Sequence, residues 1–310
     1  MTFHFSIVIP LFNKENHVFK TIQSVLNQTY LFFEIIIIND ASTDDSLKVV
    51  EGIKDHRILI IKHAKNLGLS AARNSGIRAS KYNYIAFLDA DDYWSPNYLE
   101  ELLKLIKSYP NEKAFGTFYK EDIFGSIVLP KTSLNLKYFN QTLIIENFFK
   151  LNLGKLIITQ SSIVIHKEVF EKVGYYDEQI TFAEDIDFYI RCFSNFSLVY
   201  KHTPLNTQTR EIAGSLTNSK TTNKNYPDLE KYLGYKKSLD DFINFYNYCF
   251  CRRFKNEGGQ KQMQFYLKKI NLRSLSFMQI FILYLPKPFY TLLLLFKKKL
   301  LKKGIQISSY

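Results

Sequence analysis

The chain is poor in the residues that mark several specialised protein classes. Its 310 residues include only three cysteines, eight prolines, twelve glycines and one tryptophan. Cys192, Cys249 and Cys251 are too few for a disulfide framework and lack zinc-site spacing, which favours a reducing compartment. The low glycine and proline content excludes collagen-like and low-complexity chains. With 46% apolar and 23% charged residues, wholesale disorder is excluded as well.

Long uncharged apolar stretches are also missing. No stretch of 18 or more residues is free of charge, and the nearest one, Leu275–Phe296, is interrupted by Lys287 and two prolines. This composition suits the surface of a membrane better than a membrane span. The start of the chain, Met1–Phe12, lacks the basic region and the small-residue cleavage site of a secretory signal.

Acidic residues are scarce in the C-terminal region. Residues 1–230 carry 25 Lys and Arg against 26 Asp and Glu, whereas residues 231–310 carry 16 against three. A basic, aromatic and apolar tail on a near-neutral body indicates an anionic partner, either a membrane or a nucleic acid. We favour the membrane and expect no nucleic acid, because the Asp-rich strand ends described below offer no face for nucleic-acid phosphates. A helical domain packed on the body and a homodimer interface are the alternatives.

Strand-length apolar runs alternate with helical patterns over the first third of the chain. The runs are Phe5–Pro10, Phe33–Ile38, Arg57–Lys62 and Tyr84–Leu88, and the helical segments are Glu15–Asn27, Ser42–Ile53, Leu69–Ala79 and a helix opened by Ser95–Pro96 that continues to Ser108. Runs that are apolar on both faces predict a parallel sheet covered by helices on both sides. Ligands of such sheets bind at the carboxyl ends of the strands, so site residues should follow each run.

The pattern changes beyond residue 110. Shorter strands over Ala114–Tyr119, Gly125–Leu129, Ser161–Ile165 and Leu198–Tyr200 mix with helices over Glu168–Val173 and Asp185–Phe193. Residues 202–228 predict a loop, and residues 231–303 predict helices rich in Tyr, Phe and Lys. The predicted fold class is therefore α/β, with a mixed, mostly parallel central sheet flanked by helices and a basic helical C-terminal appendage.

Three carboxylates follow the fourth apolar run, in Asp89-Ala90-Asp91-Asp92. Carboxylates this close together repel each other unless a positive charge lies among them. Mg²⁺ and Mn²⁺ prefer oxygen ligands and commonly bridge one or two carboxylates to phosphates. The segment therefore predicts a metal site, and an acidic turn that caps the following helix is the alternative.

Polar residues follow the other runs as well. The segment from Pro10 to Asn13 can form an aromatic wall for a base, Asp40 can accept a hydrogen bond from a base or ribose, and Arg73 can reach a nucleotide. Turns, helix caps and a solvated charge are the plain alternatives for these residues. No GxGxxG or GxxxxGK[ST] segment is present, so neither a Rossmann dinucleotide site nor a P-loop is supported.

A further acidic pair, Glu184-Asp185, precedes an amphipathic helix. One of these carboxylates can act as a general base while the other stabilises the helix N-terminus. Capping of that helix by both residues is the alternative.

Five segments occur in one order along the predicted sheet: Ser6–Asn13, Ile37–Asp44, Asn66–Asn74, Phe87–Asp92 and Ala183–Asp187. Together they resemble the family 2 inverting glycosyltransferases, which have the GT-A fold, over about residues 3–217. The resemblance implies a GT-A domain over residues 1–217, with a nucleotide-binding half (1–110) and an acceptor-side half (111–217). Residues 218–310 would form the basic helical region.

The resemblance also implies roles for individual residues in binding the nucleotide sugar. Asp40 is similar to the carboxylate that holds the nucleobase, and Pro10, Phe12 and Asn13 would lie along the same pocket. Arg73 would line the base and ribose. Asp89 resembles the first Asp of the DxD motif, followed by Ala90, and Asp91 resembles the second, which ligates Mn²⁺ or Mg²⁺ on the diphosphate.

The remaining implied roles concern the reaction. Asp185 resembles the catalytic base, and Glu184 its companion on the acceptor side. Thr209–Ser215 resembles a later segment that closes over the diphosphate, with Arg210 as its cation. Ile212 stands where family members often have a histidine, so a third protein ligand to the metal is not implied.

By resemblance, the chain is an inverting, metal-dependent glycosyltransferase. Its donor would be a nucleoside-diphosphate sugar, UDP-linked by analogy, and its acceptor a glycan or lipid-linked glycan of a bacterial surface polysaccharide. It would lie in the cytoplasm, peripheral to the inner membrane. The alternative is a catalytically silent nucleotide-sugar-binding or scaffold protein. A nucleotidyltransferase would need a Gly-rich basic loop after the first strand, which Leu11–Asn16 is not.

Overall fold

The computed structural model describes residues 3–134, 136–210 and 220–302. The strands of this part are β1 (Phe5–Leu11), β2 (Phe33–Asn39), β3 (Ile58–Lys62), β4 (Tyr84–Phe87), β5 (Tyr93–Trp94), β6 (Ala114–Ile123), β7 (Ser126–Val128), β8 (Thr142–Ile145), β9 (Ile163–His166) and β10 (Leu198–Arg210). They form one sheet in the order β3-β2-β1-β4-β9-β6-β10-β5, with β7 on β6 and β8 on β10.

Helices cover the sheet and form the C-terminal region. They are α1 (Val18–Leu26), α2 (Ser46–Glu51), α3 (Leu69–Ala79), α4 (Tyr98–Ser108), α5 (Phe148–Leu151), α6 (Lys167–Val173), α7 (Glu184–Phe193), α8 (Lys237–Glu257), α9 (Gln260–Lys269), α10 (Phe277–Tyr284) and α11 (Lys287–Lys302). This arrangement confirms the predicted fold class: an α/β fold with a mixed central sheet, flanking helices and a helical C-terminal region.

The sheet is parallel from β3 to β4 and mixed beyond that strand. β1 pairs in parallel with β2 and β4, while β9 runs antiparallel to β4 and β6. All seven residues of β1 and of β2 are buried, which is why their sequences are apolar without alternation. The four predicted runs of the first half are therefore strands, and their carboxyl ends lie along one edge of the sheet.

Two glycines set the start of α3 and its contact with β1. A Cβ added at Gly76 would lie 2.2 Å from Val8 Cγ1, so only glycine permits this approach. Gly68 precedes α3 with a φ of 93°, in the left-handed region that favours glycine. The two residues hold α3, and with it Arg73, against the carboxyl edge of the sheet.

Three predicted helix starts are wrong by a few residues. The helices α1, α2 and α4 begin at Val18, Ser46 and Tyr98, whereas the predicted starts were Glu15, Ser42 and Pro96. Asp44 explains two of these differences, because its carboxylate accepts hydrogen bonds from the Glu15 and Ser46 N–H groups and holds both segments in loops.

The predicted loop over residues 202–228 is wrong in its first part. β10 continues to Arg210, and it pairs in parallel with β6 and antiparallel with β5. Its later residues are polar, yet Asn206 is fully buried and Thr207 is 3% exposed, because neighbouring strands cover both edges. Residues 211–219 lie outside the described part of the chain, and so do Ile212 and the predicted domain boundary at residue 217, which stays a prediction.

The helices α8 and α9 pack on the body of the molecule. Leu239, Phe242, Phe254 and Tyr266 belong to the same buried cluster as side chains of β6, α5 and α7. The predicted alternative of a helical region packed on the body therefore holds for these two helices.

The last two helices, α10 and α11, carry many exposed apolar side chains. Phe277 is 83% exposed, Phe289 62% and Leu292 64%. Among the described residues, no single helix has the length and apolar character to cross a membrane. The segments Phe277–Tyr284 and Lys287–Lys297 meet that test only as a pair, bent by 120°.

Candidate active site

The loops after β1 and β2 are tied to each other at the carboxyl edge. Asn13 adopts a left-handed φ of 51°, and its Oδ1 accepts a hydrogen bond from the Thr43 N–H at 2.8 Å. The Lys14 N–H donates to Ser46 Oγ at 2.6 Å. Pro10 is buried inside β1, whereas Phe12 is 43% exposed. Of the predicted pocket wall, Phe12 is thus an exposed aromatic side chain that a base can contact.

Asp40 lies at the end of β2 and is only 3% exposed. Its Oδ1 accepts from the Leu67 N–H at 2.9 Å and lies 2.7 Å from His63 Nδ1, and its Oδ2 accepts from the Gly68 N–H at 2.8 Å. A carboxylate offers about four acceptor positions. Asp40 therefore retains capacity for one further donor, which is compatible with its predicted contact to a nucleobase. His63, which the sequence did not single out, fixes this carboxylate.

The three carboxylates after β4 point to three different partners. Asp89 accepts from Arg73 at 3.1 Å, Asp91 from Lys14 Nζ at 2.5 Å, and Asp92 from Ser161 Oγ at 2.6 Å. Burial and its two neighbouring carboxylates raise the pKa of Asp92 well above its usual value. Asp92 is a structural residue, whereas the Asp89 and Asp91 side chains remain partly exposed at 30% and 16%.

Arg73 is buried, with a 3% exposed side chain. Its Nη1 donates to Glu184 Oε1 at 2.6 Å and its Nη2 to Asp89 Oδ1 at 3.1 Å. The solvated-charge alternative is therefore wrong. Arg73 joins the first carboxylate after β4 to the acidic pair of α7, and we call Arg73, Glu184, Asp185 and residues 89–92 the Asp-turn network.

Asp185 stands in the first turn of α7, which begins after a strained residue. Ala183 has a φ of 61°, a left-handed conformation that is uncommon for residues other than glycine and recurs at functional sites. Burial, and next the Glu184 carboxylate, raise the pKa of Asp185 to about 7. Nearby Arg73 acts in the opposite direction. A carboxyl group with this pKa can exchange a proton near neutral pH.

The end of β10 meets the Asp-turn network. Thr209 donates from its N–H to Asp92 Oδ1 at 2.9 Å and from its hydroxyl to the Asp91 carbonyl at 2.5 Å. The next residue, Arg210, donates from Nε to Glu121 Oε1 at 2.7 Å. The backbone of β10 therefore brings Arg210, the predicted cation, close to Asp91, the predicted metal ligand. The Arg210 side chain itself is bonded to Glu121.

The donor set bears on the predicted metal. In the described part of the chain, no group of three His, Cys, Asp or Glu side chains is placed to hold an ion. Mg²⁺ commonly keeps waters and binds through one or two carboxylates together with substrate phosphates. Asp91 can supply one such carboxylate, so the residues fit an ion that arrives with a diphosphate. Lys14 now holds that carboxylate, and its place in the sequence gave no signal of this contact.

Comparison with protein families decides the class of the molecule. Residues 6–174 match the family model described as glycosyl transferase family 2. The chain belongs to glycosyl transferase family 2. The predicted resemblance is thereby confirmed, and the Asp-turn network lies at the carboxyl edge of a family 2 glycosyltransferase.

Curated relatives support the same assignment. Glycosyltransferase GlyA of Streptococcus pneumoniae is 36% identical over 47% of this chain and 21% of its own length. The Escherichia coli UDP-Glc:alpha-D-GlcNAc-diphosphoundecaprenol beta-1,3-glucosyltransferase WfaP is 38% identical over 44% of this chain and 56% of its own length. The chain thus spans about a fifth of the first relative and just over half of the second. An uncharacterized glycosyltransferase of Haemophilus influenzae is 31% identical over 64% of this chain and 75% of its own length.

Solved structures show the fold. TarS residues 1–349 of Staphylococcus aureus, in complex with UDP-GlcNAc, superpose with a TM-score of 0.66 at 16% identity, covering 97% of this chain and 92% of TarS 1–349. The same fragment in another crystal structure gives a TM-score of 0.65 over the same coverage. This family 2 glycosyltransferase therefore has the GT-A fold that its sequence predicted.

Proposed function

We propose that the enzyme transfers a sugar from a UDP-linked donor to a hydroxyl group of a glycan or lipid-linked glycan, with inversion and with help from Mn²⁺ or Mg²⁺. One observation carries the proposal. A carboxylate with a raised pKa, Asp185, is joined through Glu184 and Arg73 to Asp89, next to the predicted metal ligand Asp91. Base and diphosphate site would then face one reacting carbon.

Asp185 would act as the base. The acceptor hydroxyl has a pKa far above 7, so its proton must be removed as the oxygen attacks. The proton passes to the Asp185 carboxylate, the acceptor oxygen bonds to the anomeric carbon, and the electron pair of the broken bond leaves on the diphosphate. A single displacement with the base opposite the leaving group inverts the configuration.

The leaving diphosphate gains charge that must be balanced. A bound Mn²⁺ or Mg²⁺ would supply Lewis-acid stabilisation of that charge. Asp91 would hold the ion, and Arg210 would approach the same oxygens. Lys14 would be released from Asp91 and remain nearby as a cation.

Asp40 and Phe12 would receive the base of the nucleotide. Asp40 can accept one more hydrogen bond, and a uracil ring carries one N–H group of that kind. The relatives point the same way, since WfaP is named for UDP-Glc and TarS was solved with UDP and with UDP-GlcNAc. Arg73 lies beneath Asp89, so it would position that carboxylate toward the ribose and would not itself line the base.

A turnover assay tests the proposal. Purified enzyme would be supplied with UDP-sugars, an acceptor and Mn²⁺, with UDP release and the anomeric coupling constant of the product measured by NMR. We expect transfer that requires the metal, a product of inverted configuration, and a loss of about 10²-fold or more in Asp91→Asn. Metal-independent turnover that Asp91→Asn leaves unchanged would sink the metal assignment, and a folded enzyme without any turnover would favour the silent-scaffold alternative.

The exposed apolar side chains of α10 and α11 support a second part of the proposal: the enzyme docks on an anionic membrane surface from the cytoplasmic side, where a membrane-bound acceptor would be reached. Each basic residue near such a surface adds about 1 kcal/mol. Co-sedimentation with anionic vesicles should fall in high salt and in Phe277→Ser and Leu292→Ser. Equal binding to neutral and anionic vesicles would contradict this. The homodimer stays a prediction.

A further inference from the structure

Ala183, directly before the helix that carries the predicted base, has a strained backbone. Its φ of 61° is a left-handed conformation that only glycine adopts without steric cost. Such a conformation persists where the surrounding structure fixes it. Glu184, which accepts from Arg73 Nη1 at 2.6 Å, and the predicted base Asp185 follow Ala183 directly. The contacts that hold this turn therefore bear on the position of the base.

Residues 221–226, which we call the bracing segment, bind the backbone of the turn. The Thr181 and Phe182 N–H groups both donate to the Asn225 carbonyl, at 2.9 and 3.2 Å. The Asn225 N–H donates in the opposite direction, to Thr181 Oγ1 at 2.9 Å. Three hydrogen bonds thus fix the two residues that precede Ala183, and all three come from one residue of the bracing segment.

The Phe182 side chain contacts two groups from the C-terminal part of the chain. Its ring centroid lies 5.0 Å from that of Tyr226 in the bracing segment and 4.4 Å from the guanidinium carbon of Arg253 in α8. The Tyr226 ring lies 4.8 Å from the rings of both Phe250 and Phe254 of α8. Aromatic pairs and a cation over a ring are both favourable contacts. The side chain next to the strained residue is therefore held by α8.

Thr221 attaches the bracing segment to α8. It is fully buried, its N–H donates to Glu257 Oε2 at 2.7 Å, and its Oγ1 accepts from Arg253 Nε at 2.9 Å. Arg253 and Glu257 form an ion pair one helical turn apart, at 2.9 Å. Arg253 therefore contacts both the bracing segment and Phe182, and it connects the end of α8 with the turn before α7.

We infer that the C-terminal region positions the catalytic base: Arg253 and the bracing segment hold the turn 181–183 in its strained form, which places Glu184 and Asp185 at the Asp-turn network. Arg253, Tyr226 and Phe182 are positioning residues, because they act through this turn. The inference rests on the proposed function, since it assigns these residues to the base of that reaction. The C-terminal helices would then contribute to the chemistry as well as to any docking on a membrane.

Steady-state kinetics of the full chain test the positioning role. Arg253→Met keeps an alkyl chain in place but removes the cation over Phe182 and the bond to Thr221. We expect kcat to fall about tenfold because the base is displaced, while the KM for the UDP-sugar donor stays within about twofold. Lys237→Met is the matched control at the other end of α8, where the Lys237 side chain is 86% exposed, and it should leave both constants unchanged. Equal kcat in the two variants would overturn the inference.

A second substitution distinguishes positioning of the turn from general packing. Glycine at position 183 adopts a positive φ without steric cost, so the turn would depend less on contacts from outside. Ala183→Gly should therefore restore most of the kcat that Arg253→Met loses. A defect in the packing of α8 would not respond to a change at residue 183, and a double variant as slow as Arg253→Met would contradict the role of the strained turn.

Hydrogen exchange followed by mass spectrometry examines the turn without any turnover. The Thr181 and Phe182 N–H groups are bonded to Asn225, so a peptide that covers residues 181–186 should exchange slowly in the wild type. Arg253→Met should speed exchange in this peptide about tenfold, and peptides from β1 and β2 should keep their rates. Lys237→Met should change neither.

The exchange rates also separate this inference from the proposed function. Faster exchange in β1 and β2 to the same extent as in the turn would show a general loss of stability and overturn the inference. Unchanged exchange of the turn in Arg253→Met would overturn it as well. Faster exchange confined to the turn, in an enzyme whose wild type has no transferase activity, would retain the bracing contacts and refute the proposed function.

Discussion

Two groups of charged side chains meet at the end of β10 and are built in opposite ways: an acidic side, which is the Asp-turn network, and a basic side, which is Glu121 with Lys155, Arg210 and the nearby Lys297. In the first, one buried cation, Arg73, is held by Asp89 and Glu184, and the surplus is negative. In the second, one buried carboxylate, Glu121, is shared by two cations, Lys155 and Arg210. The end of β10 therefore lies between a cation that carboxylates share and a carboxylate that cations share.

Removing Arg73 would break the acidic side most severely. Arg73→Met leaves Glu184 and Asp89 without their shared cation, and uncompensated buried charges cost about 3–5 kcal/mol. We expect a loss of that size in the free energy of unfolding, measured in urea by circular dichroism. Arg78→Met is the control on the same helix, because Arg78 is exposed and lies 3.7 Å from the exposed Glu178. An equally small loss in the free energy of unfolding of both variants would show that Arg73 does not hold the network together.

Replacing the base tests whether the acidic side performs the reaction. Asp185→Asn keeps the size of the side chain but cannot accept a proton, so transfer should fall about 10²-fold or more while the fold is retained. UDP release and circular dichroism measure the two quantities. Asp241→Asn, which affects a surface ion pair with the exposed Lys237 on α8, should leave the rate unchanged. Near-normal turnover in a folded Asp185→Asn enzyme would remove this residue as the base.

The pH profile sharpens the comparison, since burial and neighbouring charges shift pKa values on both sides. The base must be ionised, so kcat/KM should rise with pH through about 7, the pKa of Asp185. Glu184→Gln removes the neighbouring negative charge that raises this pKa, and the rise should move to lower pH. A rise that stays in place would show that burial alone sets the pKa.

The basic side should show a smaller effect, on stability. The pKa values of Lys155 and Lys297 are about 8 in the folded state, below the value of about 10.4 that free lysine has. Between these values the unfolded chain binds more protons, so stability should increase as the pH rises from about 8 to 10. Urea unfolding across this range measures the slope, which Lys297→Gln should reduce and Lys299→Gln should not. A decrease in stability between these pH values would contradict the lowered pKa values.

Much of the first half of the fold was predictable from sequence, for a local reason. Strands such as β2 are buried on both faces, so an apolar run marks them whatever their neighbours are. The later part of β10 was not predictable in this way. Its polar side chains, such as Asn206, are buried by β6 and β5, which come from distant parts of the chain. A local window contains no trace of that pairing.

The candidate site shows the same difference between residues that a local sequence pattern reveals and residues that it does not. Asp40, Asp89, Asp91 and Asp185 stand at strand or helix ends, where the sequence pattern alone directs attention. Their partners do not, because Lys14 meets Asp91 from 77 residues away and a single lysine has no distinguishing pattern. The sequence pattern did not reveal Lys155 either, because it meets Glu121 from 34 residues away.

Contacts between phenylalanines of α5 and α8 limit where the chain can be truncated without disrupting the fold. Phe148 and Phe149 place their ring centroids 6.3 and 5.4 Å from that of Phe242, so the C-terminal helices close the interior of the catalytic body. A protein truncated at residue 217 would lose these contacts and expose its apolar interior. Its failure to bind vesicles would then reflect a disrupted fold and not the loss of a membrane-binding segment. Single substitutions of exposed residues on α10 and α11 leave these packing contacts intact. They are therefore the better test of what the C-terminal helices bind.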